Sequence, residues 1–146
     1  MEDRTNIITS AEAFFEAVRQ SPSAGPTSVW CNAQMPESVW LDLMDNYPDR
    51  RRTLTLVRTI PDSILERLAQ DADELVRVDI AMKRRLPNHL FEFLSTDSEE
   101  MVRNRIAWNA RTPLAILEKL TSDVSQLVAT TAIQRLGQRK NKEEQE

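Results

Sequence analysis

Four prolines, Pro36, Pro61, Pro87 and Pro113, recur at intervals of 25, 26 and 26 residues. A fixed period of this length marks stacked supersecondary units, each too small to bury its apolar faces alone. The match extends beyond the prolines. A shift of 26 carries Leu65 onto Phe91 and Leu117, and Leu68 onto Leu94 and Leu120. The same shift carries Asp71 onto Asp97 and Asp123, Val76 onto Val102 and Val128, Arg77 onto Arg103, Ile80 onto Ile106 and Ala81 onto Ala107. The last unit drifts, with Ala129 and Ala132 replacing Arg103 and Ile106. The first keeps Trp40, Leu43 and Asn46 but is one residue short.

Each unit reads as two helices. Proline is expected at the first helical position, where its missing N–H costs nothing. Thr112 suits a cap before Pro113, whereas Met35, Ile60 and Leu86 before the other prolines do not. The pairs Asp71/Glu74, Asp97/Glu100 and Asp123/Gln126 have capping-box spacing, so the three aspartates are expected to cap the second helices rather than act as catalytic carboxylates. Those helices are expected to bury Leu75, Val76 and Ile80, then Met101, Val102 and Ile106. The small Ala81 and Ala107 would let neighbouring helices approach closely. The expected fold is all-α: a short right-handed α-solenoid with four repeats starting at 36, 61, 87 and 113 and ending at 136.

The flanks complete this organisation. Residues 9–20 form an amphipathic helix with Thr9 and Glu12 at capping-box spacing, expected to cover one end of the stack. Residues 21–28 contain two prolines and a glycine and read as a loop. Residues 29–35 suit a further short helix, and residues 1–35 together form the N-terminal cap. Residues 137–146 are polar and mixed in charge, which predicts a disordered tail.

The pattern running from Pro61 to Ala81, and again from Pro87 to Ala107 with Phe91 for the first leucine, resembles the leucine-rich repeat variant, a helical repeat close to HEAT repeats. Asn109-Ala110-Arg111-Thr112-Pro113 is also similar to segments of such repeats. The resemblance implies alternating α and 3₁₀ helices in a right-handed superhelix. Some members hold an iron–sulfur cluster on a cysteine-rich segment, which Cys31 alone cannot supply. The Val39-Trp40-Leu41-Asp42 segment running into the repeats is similar to short bacterial HEAT-like proteins, some of which resemble immunity proteins of polymorphic toxin systems.

Composition excludes several function classes. The single cysteine rules out an intramolecular disulfide or a four-thiolate metal site, and Cys31 reads as a partly buried small apolar residue. His89, the only histidine, rules out a histidine metal cluster and reads as a surface residue. With two glycines there is no phosphate-cradling loop, and no metalloprotease motif occurs. A net charge of −4 disfavours generic nucleic-acid binding and suits a basic protein partner. No apolar run approaches the ~20 residues of a membrane span, and Met1-Glu2-Asp3-Arg4 leads into no signal-like core, so a cytoplasmic chain without cofactor is expected.

The residues that depart from the repeat are the binding candidates. Trp108 and Met82 occupy equivalent positions after the consensus alanines. Both packing and a binding role suit them, since Trp, Met and Arg are enriched at interfaces. Asp79 and Arg105 lie one turn earlier on a similar face. Arg84, Arg85 and Arg111 fall near second-helix ends, where they suit either the helix dipole or an anionic partner. Arg51, in the run Arg50-Arg51-Arg52, opens a helix, where its charge is unfavourable. Arg77 and Arg103 are expected to pair with carboxylates, and Trp30 and Trp40 to lie in the core. The leading expectation is a non-catalytic protein-binding module, monomeric when free, acting as an immunity protein or antitoxin that occludes a basic toxin domain. A general scaffold and a nucleic-acid-binding protein are the alternatives.

Overall fold

The computed structural model describes residues 6–23, 25, 28–143 and 145. Met1-Glu2-Asp3-Arg4, parts of the expected loop (Ala24, Pro26, Thr27) and tail residues Glu144 and Glu146 lie outside them. Among the described residues the chain forms nine α-helices, two 3₁₀ turns and one isolated bridge between Ile7 and Gln34. The all-α class is therefore correct. No helix among these residues is long and apolar enough to cross a membrane. The chain divides into two compact units, Met1–Leu68 and Ala69–Glu146.

In the first unit α1 (Ala11–Gln20) is capped by Ser10, whose side chain accepts from the Ala13 amide. The cap is thus one residue later than the expected Thr9. The apolar side of α1 carries Phe14, fully buried and edge-on to Trp30 at 6.0 Å. The Trp30 indole donates to the Ser21 carbonyl at 2.7 Å. A 3₁₀ turn, Trp30–Asn32, and α2 (Glu37–Asn46) pack against α1. A second 3₁₀ turn (Pro48–Arg50), α3 (Arg51–Leu54) and α4 (Asp62–Ala69) complete this part. Trp30 and Trp40 are buried, as expected, and Cys31, expected to be only partly buried, is 3% exposed.

The second unit holds α5 (Glu74–Ala81), α6 (Asn88–Ser95), α7 (Glu100–Trp108), α8 (Leu114–Leu120) and α9 (Gln126–Glu143). α7 packs against α5 on one side and α9 on the other, while α6 packs against α8. Val76, Ile80, Leu94, Val102, Ile106, Leu117 and Val128 are buried between them.

The repeat prolines stand one position earlier than expected. Pro36, Pro87 and Pro113 are N-cap residues in extended conformation, not first helical residues. Their carbonyls accept the first intrahelical bonds, from Trp40, Phe91 and Leu117, and Pro61 does the same for Leu65. This shift explains the apolar residues before the prolines. Ile60 and Leu86 are buried, and each lies at the spacing of a hydrophobic staple from the buried Leu65 and Phe91. Thr112 does not cap α8: its hydroxyl donates back to the Ile106 carbonyl at 2.6 Å.

The expected disordered tail is also corrected. α9 runs unbroken from Gln126 to Glu143. Arg139 secures it by donating to the carbonyls of Thr112, Asn109 (3.0 Å) and Ala110 (2.5 Å).

Candidate functional site

The consensus aspartates do not cap helices. Asp71 accepts from the Asp73 amide, Asp97 from Glu99 and Asp123 from Ser125, each two residues on, so each shapes the turn before a second helix. Asp73 is the N-cap of α5 and Glu99 of α7. The aspartates then serve a second purpose. Arg77 Nε and Nη2 donate to the two oxygens of Asp97 at 2.8 and 3.1 Å. Arg103 grips Asp123 at 2.8 and 3.0 Å. The remaining nitrogen of each arginine donates to a carbonyl in its own turn, Asp71 or Asp97, at 2.8 Å. Each arginine thus ties its own turn to the next.

These ion pairs are largely shielded, with side chains 12% exposed for Arg103 and 8% for Asp123. The hydrogen bond from Arg103 holds the Asp123 carboxyl below its ordinary range, against the opposing effect of burial. The same contacts hold the protons of Arg77 and Arg103 more tightly than usual. Carboxylates engaged in this way are structural elements. Asn109 adds a similar tie: buried, it donates to the Ala81 and Lys83 carbonyls at 2.8 Å and accepts from the Arg111 amide.

The binding candidates fall into separate groups. Met82, the residue capping the C-terminus of α5, and Trp108, the last residue of α7, are exposed at 54% and 44%. Asp79 and Arg105, one turn earlier, are half-buried. The Arg135 guanidinium lies 5.2 Å from the Trp108 ring centroid, within cation–π range. Arg84, Arg85 and Arg111 are exposed and line one depression of about 610 Å³ with Leu86, Asn88 and Phe91. They stand in the loops just beyond the C-terminal ends of α5 and α7, three to four residues past Ala81 and Trp108. Arg51, in the first unit, turns its Nε onto the Met44 carbonyl at 2.9 Å, a tie to α2 rather than a free binding group. His89 is exposed.

Three further candidates escaped sequence reasoning. Leu75 and Met101 were expected in the core but are 43% and 45% exposed, and their repeat equivalent Leu127 is 48% exposed. Residues at i, i+4 and i+7 share a helix face, so Leu75 and Asp79 lie on one side of α5, continued by its C-cap Met82, and Met101, Arg105 and Trp108 on the matching side of α7. On α7 Asn104 is buried with its Oδ1 unpartnered among the described residues, as is Arg105 Nε. The signal for Asn104 was available: it is polar where the repeat has Val78. No group of three or more metal-ligating side chains occurs among the described residues.

In comparisons with protein families, curated proteins and solved structures, the chain matched none.

Proposed function

We propose that this chain is a non-catalytic protein-binding module and that its contact surface is the exposed side of α5, α7 and α9. One observation carries the proposal: Leu75, Met101 and Leu127 recur every 26 residues on adjacent helices and are each more than two-fifths exposed. A core explanation does not account for them, because the buried sides of the same helices are already occupied by Val76, Val102 and Val128. Full burial of a Leu or Met is worth ~1.5–3 kcal/mol, so each leaves about 1 kcal/mol to be gained against a partner. Met82 and Trp108 extend the apolar row, and Asp79 and Arg105 supply charge within it.

The finer architecture belongs with this reading. The periodic tie from Arg77 to Asp97 and from Arg103 to Asp123 supports a short right-handed α-solenoid of the leucine-rich repeat variant or HEAT-like kind, with α1 covering one end. Solenoids present broad surfaces of this type to proteins. The narrower role is that of an immunity protein or antitoxin occluding a toxin domain; a net charge of −4 would speed its encounter with a basic partner.

Co-expression with the adjacent reading frame tests the proposal. The neighbour is expected to be toxic alone and harmless with this chain. The variant Leu75→Glu/Met101→Glu/Leu127→Glu should lose protection while retaining its melting temperature. A nontoxic neighbour defeats the immunity role; a pull-down with the same variant then tests the scaffold alternative. If a captured partner binds the triple variant as tightly as the parent chain, the surface assignment is wrong.

A further inference from the structure

The depression lined by Arg84, Arg85 and Arg111 is chemically unlike the rest of the protein. Arg77 and Arg103 are committed to carboxylates, and Arg67 pairs with Asp45. Among the described residues the side chains of Arg84, Arg85 and Arg111 make no hydrogen bond and no ion pair. No acidic residue lines the depression. Three uncompensated guanidiniums are thus gathered in one concavity of a chain whose net charge is −4.

No hydrogen bond or ion pair among the described residues accounts for the cluster. The arginines lie beyond the helices whose ends they would complement. Arg85 and Arg111 are also repeat equivalents, 26 residues apart, so successive turns bring the same charge to one place. Asn88, the first residue of α6, supplies an amide at the edge, and α6 has no side-chain cap hydrogen bond at its N-cap, Pro87. Leu86 and Phe91 provide apolar lining.

We infer that this depression binds a phosphomonoester, with Arg84, Arg85 and Arg111 holding the phosphate and the Leu86–Phe91 side accommodating a small organic group. Guanidinium forks match phosphate oxygens in geometry, and three of them suit a doubly charged group better than a single carboxylate. A volume of about 610 Å³ lies within the range of small-ligand sites. Long polyanions fit less well, because the overall negative charge repels a chain that must extend beyond the depression. The inference is independent of the protein-binding proposal, which concerns other residues.

The test is an NMR titration of the full chain with phenyl phosphate, with benzoate and a single-stranded oligonucleotide in parallel. Phenyl phosphate should shift the side-chain Nε–H signals of Arg84, Arg85 and Arg111 and the Asn88 amide. It should bind at least about tenfold more tightly than benzoate, since the dianion engages more forks. Arg85→Gln/Arg111→Gln should abolish the shifts with an unchanged circular dichroism spectrum. Arg58→Gln, at the repeat equivalent of Arg84 but outside the depression, should leave them intact. Absent shifts, shifts spread over all basic residues, equal binding of benzoate, or binding of the oligonucleotide alone would each overturn the inference. Loss of toxin protection in the Leu75→Glu/Met101→Glu/Leu127→Glu variant with phenyl phosphate binding retained would separate the two proposals.

Discussion

At the scale of single residues, the arginine–aspartate ties show how one side chain can be misread from local spacing. Asp97 and Asp123 sit three residues before a Glu or Gln, which is the spacing of a capping box. Their partners are 20 residues upstream, and no local pattern announces them. The consensus itself held the clue: Arg and Asp recur together, and a charged pair kept through every regular repeat calls for a contact. Replacing Asp123 with Asn tests the tie. The amide can still accept from Ser125, but Arg103 is left shielded without its counter-charge. A cost of about 2–3 kcal/mol is expected in urea denaturation, somewhat below the ~3–5 kcal/mol for breaking a fully buried pair. The pH dependence has a definite sign. Because the folded-state pKa of Asp123 is depressed, its contribution is present above the unfolded value near ~3.9 and is lost as pH falls through the folded value. Acidification from about pH 5 to pH 2 should therefore cost the parent chain more stability than Asp123→Asn, so that their stabilities converge at the acid end.

At the scale of elements, the proline period located the first helices to within one residue, because φ restriction and a missing N–H act locally. The last helix was missed for the opposite reason. Gly137 and the polar residues after it look like a helix stop, and only a contact distant in sequence shows otherwise: Arg139 reaches carbonyls 27 to 30 residues earlier. Two predictions follow from α9. Gly137 has ordinary helical backbone and open space where a Cβ would stand. Gly137→Ala should therefore stabilise the chain by about 0.5–1 kcal/mol, read as a raised thermal midpoint. Arg139→Ala should cost about 1–2 kcal/mol, as its charge-assisted hydrogen bonds are lost and the freed carbonyls turn to water. Increased amide exchange from 137 onward should accompany that loss. An unchanged exchange pattern would show that Arg139 does not hold the end of α9.

At the scale of the whole molecule, periodicity revealed that units repeat but did not reveal which side of each second helix faces inward. Leu75 and Val76 are adjacent and both apolar, so either could lead the buried stripe; only packing shows Val76 inside and Leu75 outside. The same ambiguity recurs at Met101/Val102, which is why Leu75 and Met101 of the candidate surface were assigned to the core; Leu127/Val128 repeats the arrangement. The row has a quantitative consequence. Packed helices lie ~8–10 Å apart, so three successive helices place their exposed residues across about 20 Å. Contacts at that separation act nearly independently. Leu75→Ser, Met101→Ser and Leu127→Ser should then each weaken a partner that spans the row by about 1 kcal/mol, and the triple variant by roughly their sum. Folding stability should change by less than about 0.5 kcal/mol per substitution, because these side chains contribute little to the core. Calorimetry on the isolated complex and urea denaturation of the free chain separate the two quantities. If one position carries the whole loss, the partner touches a single helix and the row is not a continuous contact surface. If all three substitutions destabilise the free chain instead, the exposed side is part of the fold and the protein-binding surface lies elsewhere.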